Sequence, residues 1–272
     1  METPDYRHLL RLDNRHVVVL GAGQGIGQQT AHALAQLGAR VTCVDIDASR
    51  GAAVAAEVNG QHYTADATDR QAMTDVYADA VSSYGPLHGV VNIVGLAKWA
   101  PIVDHNDDLW AAALNDNLRP AVLALQLGVP HADPAGASFV FVASVTGIGA
   151  APNHVSYGAA KAGLMSLVRT AAVELGPRNI RVNAVAPGIT WTPRVAAAQT
   201  PETRLALDAL HPLGRVGLPA DIAAAILFLT SDLSQWITGQ TIPIDGGATV
   251  NGPYQTPRLP TPTTTAPVAQ QA

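Results

Sequence analysis

The segment that most restricts this chain is Gly21-Ala22-Gly23-Gln24-Gly25-Ile26-Gly27, set between the aliphatic run Val17-Val18-Val19-Leu20 and a helical pattern over 26–37. Glycine lets a backbone turn into positive φ and pass close to another backbone or a ligand. The helix that follows begins with unpaired N–H groups, which favour an anion. Such a turn alone says little. Placed between a first strand and a first helix, it reads as the pyrophosphate cradle of a dinucleotide site, with Gly21, Gln24, Gly25, Ile26 and Gly27 as its residues.

The rest of the chain repeats that alternation. Apolar runs at 16–20, 40–45, 62–65, 89–94, 138–143, 180–186 and 240–244 read as strands, and helical patterns fall at 26–37, 48–58, 70–84, 107–127, 155–175 and 219–229. Runs such as Phe139-Val140-Phe141-Val142 are apolar without alternation, as expected of parallel strands covered on both faces. The expected fold is therefore α/β: one doubly wound parallel sheet of about seven strands, helices on both faces, in a single domain over 1–250. From 251 to 272 the chain is rich in Pro and Thr and cannot build a core. It reads as a flexible tail or as an arm contacting another subunit.

Composition removes several function classes. A net charge of −5 and the lack of a Lys/Arg-rich run argue against nucleic acid. The single cysteine, Cys43, excludes an intrachain disulfide and lies in an apolar run, where it reads as a small buried hydrophobe. No secretory signal and no apolar stretch of membrane-spanning length is present, so a cytoplasmic protein is expected. The nine histidines are scattered without a His-x-x-x-His pair, so no metal is expected, and no G-x-S-x-G nucleophile elbow occurs.

Two acids follow strands where a dinucleotide would need them. Asp45 closes the second strand, where its carboxylate can accept from adenosine ribose hydroxyls and repel a 2′-phosphate. Neither Gln24 nor Ile46 supplies a cation for such a phosphate, so NAD is preferred to NADP. The plainer reading of Asp45 is a cap on the turn at 47–50. Asp66, with Ala67 beside it, follows the third strand and either receives the adenine amino group or is an ordinary loop acid.

These features and several others resemble the short-chain dehydrogenase/reductase family over residues 11–247. The turn at 21–27 is similar to its TGxxxGxG motif, with Leu20 in place of Thr, and Asn92-Ile93-Val94-Gly95 is similar to its NNAG segment. Ser144, Tyr157 and Lys161 have the family's catalytic spacing, and Asn117 lies in a segment like its fourth catalytic position. Pro187-Gly188-Ile189, followed by Thr192, resembles its nicotinamide-side motif. Leu213-Gly214-Arg215 and Ile244-Asp245-Gly246-Gly247 match its C-terminal signatures.

The resemblance implies a Rossmann-type sheet, cofactor contacts at Asn92, Gly95, Tyr157, Lys161, Pro187, Gly188, Ile189 and Thr192, and hydride transfer between NAD(H) and an alcohol or ketone. Such a reaction needs a proton moved at the substrate oxygen. A free phenol, with a pKa of about 10, is too weak a base near neutrality. Lys161 lies at i+4 from Tyr157 on one helix face, where an ammonium favours the phenolate. Ser144 can stabilise charge on the substrate oxygen. Asn117 falls inside a helical pattern that it suits poorly. The resemblance gives it a polar kink holding a water that links Lys161 to solvent, and gives Lys161 the nicotinamide ribose.

The resemblance also places a substrate lid after Pro187-Gly188. Its apolar residues, with Trp99, Trp191 and Val195 nearby, suggest a hydrophobic secondary alcohol or ketone. His154 reads equally as a substrate contact or a solvent-facing loop residue. The patterns at 107–127 and 155–175 are more apolar than one inward stripe requires, and the family usually forms tetramers, so a homotetramer is expected. Two competing readings are an NADPH-dependent ketone or acyl-carrier reductase and a regulatory protein that senses NAD(H) without turnover.

Overall fold

In the computed structural model, which describes residues 3–251, each apolar run becomes a strand. The described residues form β1 (His16–Leu20), β2 (Arg40–Asp45), β3 (Gln61–Thr64), β4 (Leu87–Asn92), β5 (Ala137–Val142), β6 (Ile180–Pro187) and β7 (Thr241–Ile244). They pair in parallel in the order β3-β2-β1-β4-β5-β6-β7. Between them run α1 (Tyr6–Leu10), α2 (Ile26–Gln36), α3 (Ala48–Glu57), α4 (Arg70–Tyr84), α5 (Asp107–Asn117), α6 (Arg119–Gly128), α7 (Val155–Leu175), α8 (Pro193–Ala197), α9 (Pro201–Ala209) and α10 (Pro219–Thr230). This is the doubly wound Rossmann-type sheet. Except for Asn251, the tail expected from 251 onward lies outside the described residues.

Successive side chains on each strand enter opposite cores. Val18, Leu20, Val90, Phe139, Phe141 and Val182 pack against Met73, Tyr77, Leu164 and Val168 on one side. Val17, Val19, Cys43, Val91, Val140 and Val185 pack against Leu34, Val54, Ile222 and Ile226 on the other. Parallel strands need both faces covered, which is why their sequences show no polar alternation. Cys43 is buried as expected. Among the described residues no helix is long and apolar enough to cross a membrane.

Two local features depart from the sequence expectation. The helix expected over 107–127 breaks at Leu118 (φ −112°, ψ −43°) into α5 and α6. Pro120 causes the break, having no N–H to donate and a ring that opposes the carbonyl four residues back. The Asn117 amide adds to it by donating to Ala113 O at 2.9 Å, so the polar kink falls where Asn117 implied it. The second departure is α8 and α9, short helices in the lid segment after Pro187-Gly188, where the sequence pattern marks no helix. Each starts with a Thr cap and a Pro in its first turn, Thr192-Pro193 and Thr200-Pro201, a start signal visible in the chain.

The strand order fixes where a ligand can sit. The chain leaves β1 toward β2 and β3, then crosses back to place β4 on the other side of β1. The carboxyl ends of β1 and β4 therefore face a crevice, where doubly wound folds bind ligands.

Candidate active site

The glycine turn forms one wall of that crevice. Gly21 (φ +82°) and Gly25 (φ +58°) hold backbone conformations open mainly to glycine. A Cβ on Gly27 would lie 1.9 Å from Gly21 O, so the start of α2 rests directly on the turn. Gly25, the N-cap of α2, makes no side-chain cap, which leaves the helix's first N–H groups available to an anion. The departures from the family pattern are absorbed by the backbone. Ile93 N–H donates to Leu20 O at 3.0 Å, and Asn92 Oδ1, nearly buried, accepts from Val94 N–H at 3.0 Å.

A cavity of about 410 Å³ opens above this turn, within the size range of small-ligand sites. Gly21, Gln24, Gly25, Ile26, Asp45, Asp66, Ala67, Gly95 and Thr192 line it, while Gly27 is buried beneath. Asp45 Oδ2 accepts from Gly23 N–H at 2.7 Å and Oδ1 from Asp47 N–H at 2.9 Å, which orients its carboxylate at the wall. The bond to Asp47 N–H also caps the start of the turn at 47–50, where Asp47 in turn accepts from Arg50 N–H. Asp66 Oδ1 accepts from Thr68 N–H and Oγ1–H, each at 2.8 Å. Pro187, Gly188 and Ile189 are not among the residues that line the cavity. Gly188 presses on Asp245, with room for no Cβ, and Ile189 O accepts from Gly217 N–H at 2.9 Å.

Ile46, read as supplying no cation, lines the cavity too, and so do side chains that the sequence did not single out: Arg50, Asn115, Asp116 and Arg194. Arg50 is the notable one, a cation at the wall beside Asp45. Its Nε lies 3.0 Å from Asp47 Oδ2, which offsets the charge.

Beyond the cavity lie the four polar residues of the catalytic spacing. Ser144, two residues past β5, is nearly buried, and its hydroxyl favours ionisation of the Tyr157 phenol. Tyr157 and Lys161 occupy successive turns of α7, with Lys161 Nζ 5.7 Å from the centre of the Tyr157 ring. Lys161 is almost wholly buried, and its Nζ donates to Val142 O at 2.8 Å. Asn117 clamps the loop after β4. Its Oδ1 accepts from Leu96 N–H and its Nδ2 donates to Leu96 O, both at 2.9 Å. Asn117 and Lys161 meet across Gly95, where a Cβ would lie 2.8 Å from Asn117 Oδ1 and 2.9 Å from Lys161 Nζ.

The electrostatics differ from the sequence expectation in one respect. The ammonium of Lys161 was expected to make Tyr157 more acidic. Instead, burial pushes the Tyr157 phenol above its usual value, and the hydrogen bond from Ser144 opposes that rise. Burial also brings the Lys161 ammonium down to about 8. Lys161 is turned toward the Val142 carbonyl, and that orientation cannot be read from i+4 spacing.

Around Tyr157 the candidate substrate residues divide. The Trp99 and His154 rings lie 5.1 Å apart, and His154 stands edge-on to Tyr157 at 6.0 Å, so an aromatic wall leads from solvent to the phenol. Ala100 N–H donates to Asn153 O at 3.1 Å and ties the two loops of that wall together. Trp191 is engaged elsewhere, with the Arg204 guanidinium 4.1 Å from its ring centre. Val195 sits half-buried on α8, its N–H capped by Thr192 Oγ1 at 3.3 Å.

A glycine cradle with no room for side chains, an uncapped helix start and a carboxylate at the far wall together fit a nicotinamide dinucleotide. Comparison with known proteins agrees. Residues 21–249 match the family model described as enoyl-(acyl carrier protein) reductase. The chain is 37% identical over 247 residues to the 3-oxoacyl-(acyl-carrier-protein) reductase of Thermotoga maritima, covering 89% of this chain and 100% of that one. It is 33% identical over 250 residues to the trans-4-hydroxycyclohexanecarboxylate dehydrogenase of Sinomonas cyclohexanicum, covering 88% and 94%. A solved 7α-hydroxysteroid dehydrogenase, in complex with NADH and 7-oxo glycochenodeoxycholic acid, superposes with a TM-score of 0.84 at 32% identity, covering 90% of this chain and 98% of that one. With the glycine turn, the Ser-Tyr-Lys geometry and these relatives in agreement, the chain is a member of the short-chain dehydrogenase/reductase family, oxidoreductases that use a nicotinamide cofactor.

Proposed function

We propose that this protein transfers a hydride between NAD(H) and a hydrophobic secondary alcohol or its ketone, with Tyr157 as general acid/base. The observation that carries this reading is the convergence of Ser144, Tyr157 and Lys161, with Lys161 Nζ 5.7 Å from the centre of the Tyr157 ring and Ser144 favouring ionisation of the phenol. In the oxidation direction Tyr157 takes the proton from the alcohol oxygen while Ser144 holds that oxygen in place. In reduction Tyr157 returns the proton. Lys161 keeps a donor at the floor of the site, and Asn117 holds the Leu96 loop against it. The bound nicotinamide supplies the hydride acceptor or donor and, when oxidised, a positive charge that favours phenolate. The turn at 21–27 would hold its pyrophosphate, Asp45 the adenosine ribose, Asp66 and Ala67 the adenine, and Asn92, Gly95 and Thr192, with the segment 187–189, the nicotinamide side. Trp99 and His154 supply an apolar flank for the substrate.

Asp45 supports NAD over NADP, because a carboxylate at that wall repels a 2′-phosphate. Initial rates with each cofactor over a panel of secondary alcohols and ketones test this, with NAD expected to be preferred. In Asp45→Asn, which keeps an acceptor and removes the charge, the preference should narrow by about tenfold or more, since like-charge repulsion in a partly buried site is worth more than 1.4 kcal/mol. An unchanged preference would dismiss Asp45 as the selector. The second reading, an NADPH-linked acyl-carrier reductase, draws on Arg50 at the cavity and on the Thermotoga relative. Faster turnover with NADPH and a β-ketoacyl thioester would favour it.

The same reading makes the protein a cytoplasmic homotetramer. Trp110 on α5 and Val173 on α7 lie exposed, apolar surface that a partner subunit would cover. Light scattering should return four times the chain mass. A monomer at micromolar concentration would count against it.

A further inference from the structure

Ser144 Oγ receives two hydrogen bonds from a single residue, Thr146: one from its hydroxyl at 2.9 Å and one from its backbone N–H at 3.2 Å. A serine hydroxyl has two acceptor lone pairs and one proton. With both lone pairs engaged, Ser144 can act only as a donor, and its proton is left for Tyr157, the phenol whose ionisation it favours. We infer that Thr146 is a positioning residue, whose hydroxyl fixes Ser144 as an obligate donor toward the reacting oxygens. This rests on the reading of Tyr157 as the acid/base.

The backbone around Thr146 supports the assignment. Thr146 belongs to the short 3-10 turn Val145–Gly147, capped by Ser144. That turn is pressed onto α7, the helix carrying Tyr157 and Lys161. A Cβ on Gly147 would meet Ala162 N at 2.8 Å, and one on Gly158 would meet Thr146 O at 3.0 Å. The direction of the Thr146 side chain is thus set relative to Tyr157 by close backbone contact. The bond from Thr146 N–H is the ordinary cap of a turn, and a serine there needs no further purpose for it. The bond from its hydroxyl goes beyond capping.

Thr146→Val keeps the N–H and the branched shape and removes only the hydroxyl. Ser144 then regains a free lone pair and can accept from the Tyr157 O–H, which favours the neutral phenol and raises its pKa. The expected result with cyclohexanol and NAD is a kcat about fivefold to tenfold lower, as for one lost neutral hydrogen bond, with KM unchanged. The acid limb of the kcat profile should move up by roughly half a pH unit. The same shift should appear in a near-ultraviolet titration of the phenolate with NAD bound, taken as the difference from Tyr157→Phe, which needs no substrate. Lys161 and His154, the titratable groups beside the ring, are the same in both proteins and do not produce the shift. Thr146→Ser should restore both readouts.

An unmoved titration and kcat in Thr146→Val would overturn the inference, as would equal losses in Thr146→Val and Thr146→Ser. Thr146→Ala, read in the same way, replaces the valine variant if that protein does not fold. Ser144→Ala separates the two levels. If it retains full activity, the reading of Ser144 and Tyr157 falls. If it is impaired while Thr146→Val is normal, only the role of Thr146 falls.

Discussion

Tyr157→Phe is expected to lower kcat/KM by about 10³-fold, within the range that general acid–base catalysis supplies. The change removes one oxygen and leaves the ring in its place between His154 and Lys161. It also removes the partner of the Ser144 hydroxyl, a net contribution of about 1 kcal/mol that cannot account for a loss of that size. NADH affinity should stay within a few fold, because the turn at 21–27 and Asp45 are untouched. Steady-state rates with the best alcohol of the panel, beside NADH fluorescence titration, check both halves. Turnover within about tenfold of the parent would mean the phenol does not carry the proton, and the general acid–base assignment would have to be abandoned.

How much of this site could be read from the chain depended on how local each feature is. The strands were legible because full burial leaves an unbroken aliphatic run, as at Val17-Val18-Val19-Leu20, all buried in β1. The glycine turn and the Tyr157–Lys161 pair were legible because each lies within one or two turns of chain. Features that depend on tertiary approach were not. Arg50 and Arg194 reach the cavity only once α3 and α8 have docked beside the turn. The partner of Asn117 is the backbone of Leu96, on another loop, so a mid-helix Asn signalled a purpose without naming it. The break before α6 was visible in Pro120 but was outweighed by a long apolar pattern. α8 and α9 carried Thr-Pro starts, yet at 5 and 9 residues they are too short for a periodic pattern to stand out. The acidity of Tyr157 is not legible in the chain for a physical reason: spacing reveals a neighbouring charge but not the depth of burial that opposes it.

Depth of burial also predicts an opposition between stability and activity at Lys161. Lys161→Met should abolish turnover, by about 10³-fold or more if the lysine serves the proton transfer as proposed, and should also make the protein harder to unfold. An ammonium brought from 10.5 to about 8 by desolvation costs the folded state about 3 kcal/mol wherever it is charged in both states, at one pKa unit per 1.4 kcal/mol. Among the described residues no carboxylate pairs with it; its bond to Val142 O is the compensation. Methionine fills nearly the same volume without charge, at the loss of that bond, about 1 kcal/mol. The balance is about 2 kcal/mol in favour of the variant near neutral pH, or roughly 5 °C in Tm for a chain of this size. The sign with pH follows from proton counting. Between about 8 and 10.5 the unfolded chain keeps the lysine proton and the folded one sheds it, so the parent gains stability as pH rises through that window. The variant's advantage should therefore be largest below pH 8 and fade toward about pH 10.5. Cys43 and Tyr77, both pushed up by burial to about 12 and beyond, act in the opposite sense at high pH, but equally in both proteins, so the difference between them isolates Lys161. Paired denaturant titrations near pH 7 and near pH 10 measure it directly. A variant less stable than the parent at neutral pH, or a difference that does not change with pH, would show that Lys161 is held by favourable contacts rather than kept in place against its own desolvation.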